Sequence, residues 1–276
     1  MKVLYKIIRI FSLMILIVII LGYLTIEYKI YDKNKNGIDI IAHAGGEIHG
    51  NTYTNSLEAL NKSYSDGARI FELDISQTKD GAYVAVHDWD GWKKMTSYTG
   101  DLPPILSDFK KYKIHDKYSG LDFEDINKWF STHEDAILVT DKINVPSDIV
   151  NLFVDKKRLR MELFSKEAII DASHIFDGGM ASFYILTDTN DNYFNKIALV
   201  SAMYFIKENK IEYIVSSAPI SYKEKFHLKL LRAFGVNVYM YLSGSNEEIK
   251  SKVTTYRNYI DGVYYNEIPQ DSNSLK

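Results

Sequence analysis

The hydrophobic pattern of this chain has two regimes. Residues 10–24 form an uncharged, almost wholly apolar run, which Ile7, Ile8 and Ile26 extend. About 18–20 helical residues are needed to cross a hydrocarbon core. The run reaches that length when Arg9 snorkels toward the head groups. It predicts one N-terminal transmembrane helix: an anchor over residues 1–28, then a polar linker over 29–37. A secretory signal is the rival reading, but no small-x-small cleavage site follows the exit Gly22-Tyr23-Leu24-Thr25-Ile26-Glu27. Lys2, Lys6 and Arg9 precede the run and Lys29, Lys33 and Lys35 follow it, so the positive-inside count nearly balances. The position of the run and the lack of a later span favour an extracytoplasmic domain on a single-pass cell-membrane anchor.

From residue 38 the pattern changes. Short β-rich runs fall at 38–42, 69–75, 82–86, 136–140, 159–164, 181–186, 211–216, 236–242 and 262–265. Helical spacing falls between them, at 56–66, 123–131, 147–155, 166–170, 193–208, 223–234 and 247–256. Gly67 reads as a helix stop, and Lys79-Asp80-Gly81 as a hairpin-type turn. Residues 93–120 are polar and turn-rich, and Pro103-Pro104 breaks any element there. Strands alternating with helices predict a parallel sheet covered by helices. About eight such units in roughly 240 residues predict the α/β class, a (β/α)8 TIM barrel over residues 38–276. A doubly wound open sheet is the alternative, but His43-Ala44-Gly45-Gly46 after the first strand is not a dinucleotide fingerprint.

Composition adds exclusions. The 276 residues are 46% hydrophobic and 25% charged, an ordinary globular balance. A net charge of −3 leaves no nucleic-acid footprint. Cysteine is absent, which excludes disulfides, thiolate zinc sites and cysteine nucleophiles.

Candidate chemistry gathers at strand ends, where barrels of this kind place function. His43 follows the first run, Glu72 and Asp74 sit on the second, and His87 ends the third. The i, i+2 spacing of Glu72 and Asp74 puts both carboxylates on one face of a strand. They are either solvated surface acids or a pair whose repulsion a hard divalent cation would relieve. His43 and His87 suit acid–base work near neutral pH. Asp88 would orient His87 or cap the next turn. Trp89 and Trp92 would wall a substrate pocket or pack a loop. His49, His115, His133, His174 and His227 read as structural or surface residues.

Together these residues carry a resemblance. His43-Ala44-Gly45, Asn55-Ser56, Glu72-Leu73-Asp74, Thr78-Lys79-Asp80-Gly81 and Val86-His87-Asp88 resemble the motifs of the glycerophosphodiester phosphodiesterases. Those enzymes are grouped with the (β/α)8 barrels like PI-specific phospholipase C. The match is dense over residues 40–90, and Asp261-Gly262-Val263 is similar to the family's last strand. The resemblance implies that Glu72 and Asp74 hold Ca²⁺ or Mg²⁺ against a phosphodiester oxygen. It also implies that His43 and His87 are the acid–base pair.

Several positions depart from the family. Ala44 stands where it has an Arg phosphate clamp, a loss worth about 1.5–3 kcal/mol of charge-assisted hydrogen bonding. Thr54 replaces the Glu of its Pro-Glu-Asn turn. Its Glu-x-Lys on a middle strand meets Thr140-Asp141-Lys142 here. Asp141 is the expected third ligand and Lys142 the expected phosphate contact, with Trp89 beside the substrate and Glu162 a reserve ligand. Adjacent strand residues face opposite ways, so Asp141 and Lys142 both reach the site only if the strand ends or bulges there. The expectation is a metal-dependent phosphodiesterase for small or polymeric glycerol or polyol phosphodiesters. A binding-only barrel and a lyase forming a cyclic phosphate are the alternatives.

Overall fold

The computed structural model describes residues 2–187, 197–219 and 221–269. Among these residues nine strands form one sheet: β1 Asp39–Ala42, β2 Ile70–Gln77, β3 Tyr83–Ala85, β4 Ile137–Asp141, β5 Leu159–Leu163, β6 Gly179–Ser182, β7 Tyr213–Ser217, β8 Asn237–Tyr241 and β9 Gly262–Tyr265. The helices are α1 Lys2–Lys33, α2 Leu57–Ser65, α3 Trp89–Thr96, α4 Leu106–Lys111, α5 Phe123–Thr132, α6 Pro146–Leu152, α7 Lys166–Ser173, α8 Phe183–Thr187, α9 Ile197–Glu208, α10 Tyr222–Ala233 and α11 Asn246–Tyr256.

Every neighbour pair except β2–β3 is parallel, and β1 pairs with both β9 and β2. The sheet therefore closes into an eight-stranded parallel barrel, not the open alternative. The run at 82–86 is not a barrel stave. β3 is an antiparallel partner of the upper end of β2, with Ile75 opposite Ala85 and Gln77 opposite Tyr83. The turn at Lys79-Asp80-Gly81 makes this so, since a hairpin must return antiparallel. The expected strand at 181–186 is also shorter: β6 stops at Ser182 and the chain turns into α8. Of the helix expected over 193–208, residues 193–196 lie outside the described residues.

Strand periodicity sorts the side chains. Ile41, Ile70, Val139, Met180, Val215, Tyr239 and Tyr264 pack inside the barrel as one apolar cluster. Below them the Tyr239 hydroxyl donates to Asp39 Oδ2 at 2.6 Å and accepts from Arg160. The barrel is therefore solid from its floor to mid-height. Outward residues such as Phe71, Leu73, Leu138 and Val238 meet the helices in the main core. A second core of Val84, Val86, Trp92, Phe109 and Tyr118 sits under the segment with no assigned element, where α3 and α4 form. Those helices escape the sequence pattern because each is only two turns long.

Helix α1 runs unbroken through residues 29–33, where a linker was expected. Tertiary contacts explain this. Ile30 is buried, Glu27 pairs with Lys229 at 2.6 Å, and Lys33 donates to Val236 O at 2.6 Å and pairs with Asp261 at 3.1 Å. The body of α1 has a mean hydropathy of 2.7, and it is long and apolar enough to cross a membrane by length and composition.

One glycine fixes the approach of α2 to the loop after β1. Gly46 has φ +98°, and a Cβ there would sit 1.9 Å from Ser63 Oγ. Ser63 in turn donates to Gly45 O at 2.8 Å. Gly46→Ala should cost about 1–3 kcal/mol, the scale of a residue forced into a sparse backbone region. A urea denaturation midpoint that does not move would refute this.

Candidate active site

The mouth of the barrel, at the C-terminal strand ends, collects the expected residues. Glu72 and Asp74 both point inward from β2, which is buried along most of its length. The register sets Asp74 opposite Asp141 on β4. Ligand oxygens of Glu72, Asp74 and Asp141 lie within 4.8 Å of one another. Asn55 holds the middle carboxylate: its Nδ2 donates to Asp74 Oδ2 at 2.9 Å, and its Oδ1 accepts from Asp74 N at 3.0 Å. Glu72 Oε2 accepts from the Ala44 N–H at 2.7 Å. Position 44 thus contributes a backbone donor from a left-handed residue (φ 50°), not a phosphate clamp.

Electrostatics show strain in this cluster. Burial pushes Glu72 well above the usual carboxylate range, and Asp74 and Asp141 push it further. Burial raises Asp74 too, against the Asn55 hydrogen bond. Glu162 faces the same cavity from β5 and is pushed up to about 8, by burial and then by Asp141. Glu72 Oε1 and the Tyr264 hydroxyl are buried with no hydrogen-bond partner. Converging carboxylates, an unpaired buried oxygen and an all-oxygen donor set fit a hard divalent cation such as Ca²⁺ or Mg²⁺.

The two histidines differ in setting. His43 is buried, and burial lowers its pKa to about 4, against the hydrogen bond it donates to Asn266. Its Nδ1 lies 2.8 Å from Asn266 Oδ1, so Nδ1 carries the hydrogen and Nε2 is left as the acceptor. The Tyr241 hydroxyl sits on that Nε2. Glu72 Oε2 is 3.9 Å from Nε2, too far for a hydrogen bond, and a neutral imidazole makes no ion pair there. His87 is half-buried, with Nδ1 2.9 Å from Asp88 Oδ2. Asp88 does both jobs left open by the sequence, because its Oδ1 also accepts from Gly91 N and caps α3. Tyr53 stands between the histidines, edge-on to His43 at 4.7 Å and to His87 at 5.0 Å.

The Asp141-Lys142 conflict resolves because β4 ends at Asp141. Lys142 takes φ 66°, and its N–H donates to Asp141 Oδ1 at 2.6 Å. Both residues then line a cavity of about 560 Å³ with Glu162, Tyr184 and Tyr241. Trp89 is not brought to either site cavity. It packs edge-on to Trp92 at 5.8 Å over the second core, because the Asp88 cap turns it into α3. Trp92, mostly core, lines a smaller cavity of about 410 Å³ with Tyr53 and His87. Asn266, Tyr241 and Tyr53 were missed. Tyr241 and Asn266 stand at the ends of β8 and β9, so asking what closes every strand would have found them.

In the metal-free protein the buried groups oppose one another with pH. Glu162 holds its proton up to about 8 when folded but only to 4.5 when unfolded, so it removes stability as pH rises through that window. His43 does the reverse: neutral in the fold above about 4, it adds stability up to 6.5. Above 6.5 the acid acts without that compensation. The thermal midpoint of chelator-treated protein should fall from pH 6.5 to 8, and saturating Ca²⁺ or Mg²⁺ should abolish the fall. A metal-free midpoint that is flat or rising over this range would contradict the assignment.

The closed barrel carries a carboxylate cluster and two histidines at its mouth. Residues 46–152 match the model of the Glycerophosphoryl diester phosphodiesterase family. The matched span holds Glu72, Asp74, His87, Asp141 and Lys142; His43 lies just ahead of it. No curated protein matches the sequence.

Solved structures share the fold. A glycerophosphoryl diester phosphodiesterase from Parabacteroides distasonis is 17% identical, with TM-score 0.67 over 87% of this chain and 86% of that one. One from Thermotoga maritima is 19% identical, with TM-score 0.63 over 87% of this chain and 98% of that one. An Oleispira antarctica phosphodiesterase, in complex with the product sn-glycerol-3-phosphate, is 15% identical, with TM-score 0.63 over 88% of this chain and 98% of that one.

Proposed function

We propose that this chain is a membrane-anchored, metal-dependent phosphodiesterase. Its substrates are glycerophosphodiesters or related glycerol or polyol phosphodiesters at the cell surface. Helix α1 is its single-pass anchor, with the barrel outside the cytoplasm. One observation carries the reading: the three carboxylates, one with an unpaired buried oxygen, converge at the mouth that also holds the two histidines.

Glu72, Asp74 and Asp141 would hold the cation. Ca²⁺ or Mg²⁺ bound there would stabilise charge on the phosphoryl oxygens. Lys142 adds a positive group on the cavity wall. His43 Nε2, the accepting nitrogen, exchanges the Tyr241 hydroxyl for the attacking water or substrate hydroxyl and takes its proton as that oxygen bonds to phosphorus. The P–O bond to the leaving alcohol breaks, and His87 returns a proton to that oxygen. Asn266 and Asp88 orient the two rings through their Nδ1 contacts.

The deciding assay follows glycerol phosphate release from a glycerophosphodiester by the full chain in detergent, with Ca²⁺, Mg²⁺ or EDTA. Activity that survives chelation would sink the metal-dependent reading. Phosphorus NMR of the product separates hydrolysis from formation of a cyclic phosphate.

A further inference from the structure

The docking of α1 carries directional information. Its last turns pack on α10, and the contacts are ordered. Glu27 meets Lys229, the Lys29 ammonium lies 5.6 Å from the Phe234 ring centre, and Lys33 reaches Val236 O. From Glu27–Lys229 within α10 to Lys33–Val236 just past its end the numbers rise together, and Asn34 beyond α1 meets Arg232 in the last turn of α10, so α1 and α10 run in the same sense. Helix α10 follows β7, whose last residue Ser217 lines the larger cavity, so α10 descends from the mouth to the floor. Helix α1 therefore descends too, and its apolar body lies on the mouth side of the contact.

The distances are short. From Ile30 back to Leu24 is about 9 Å of helix, and from Arg232 back to Tyr222 about 15 Å. The apolar body of α1 thus begins within the height of α10, short of the mouth. The mouth end also exposes aromatic surface. Tyr222 is 92% exposed, Phe226 54%, Tyr184 52% and Phe164 41%. Phe164 and Tyr184 line the larger cavity itself. Tyr and Phe at a rim are suited to the boundary between lipid and water. The docked helix fixes what covers them, since the bilayer that takes up residues 4–24 lies alongside.

We propose that the barrel mouth faces the membrane surface and that the preferred substrate is a phosphodiester borne by that bilayer. This rests on reading α1 as a membrane helix and the site as a phosphodiesterase. A substrate held in the same membrane is confined near the mouth, as a tethered ligand is.

The test uses the full chain in nanodiscs containing phosphatidylglycerol. The absence of cysteine allows single labels at Tyr222→Cys and Phe164→Cys, with Lys156→Cys at the floor as control. A lipid-embedded quencher should quench the first two strongly and the third hardly at all. The kcat/KM for phosphatidylglycerol in the disc should exceed that for soluble glycerophosphoglycerol by on the order of 10²-fold. Glu27→Lys combined with Ile30→Asp, which undoes the docking, should abolish that preference and leave turnover of the soluble diester unchanged. Equal quenching at all three positions, with the soluble diester still cleaved, overturns the proposal and spares the phosphodiesterase reading. Energy transfer between copies at position 222 without lipid quenching places a second copy there and also overturns it. Failure to cleave either diester sinks the phosphodiesterase reading instead, while the labels still decide the orientation.

Discussion

Glu72→Gln should abolish phosphodiester cleavage and make the metal-free protein more stable. Both effects follow from one buried side chain. Glu72 is almost fully buried, its Oε1 is unpaired, and two further acids face it. In the metal-free state burial and the neighbouring acids disfavour the charged carboxylate, so folding must take up a proton there and a neutral isostere removes that cost. With a cation bound the same charge is an asset, and removing it withdraws several kcal/mol of transition-state stabilisation, on the order of 10³-fold in rate. Titration calorimetry should find Ca²⁺ or Mg²⁺ binding lost, and chelator-treated Glu72→Gln should melt above the chelator-treated parent. A variant that melts lower when metal-free, or that keeps its activity, would remove Glu72 from the proposed cation site.

His43→Gln should lower kcat by about 10²–10⁴-fold, the usual contribution of a positioned acid–base group. Gln keeps a donor toward Asn266 but offers no base at the Nε2 position. The loss should fall on kcat, since the ring's task is proton transfer. Asn266→Ala should give a smaller loss by freeing the tautomer. If His43→Gln raised KM and left kcat untouched, His43 would be a binding group and the proton assignment would fail.

Much of the site was legible because its residues obey strand periodicity near the start of the barrel. Glu72 and Asp74 needed only the i, i+2 rule, and His43 only the position after a strand. Asp141 and Lys142 stayed ambiguous because adjacent residues on a strand diverge, and nothing in the sequence announced the left-handed turn at Lys142. Trp89 was misplaced because Asp88 starts a helix there, and an N-cap is easily read as loop chemistry. Tyr53 was invisible for another reason: its side chain reaches the histidines from a loop with φ 57°, which no period describes. The barrel itself followed from alternation. The one wrong stave, β3, came from counting a hairpin strand as a parallel one.

The packed interior beneath the carboxylates has a consequence for traffic. Ile41, Val139, Met180, Tyr239 and Tyr264 leave no passage through the barrel axis, and Arg160, Tyr239 and Asp39 close its base. Among the described residues, entry and departure then share the mouth of the barrel. A long polymer cannot thread through such a pocket; it must present a free end or a bent loop. Both halves of a cleaved diester then leave by the opening through which the next substrate arrives.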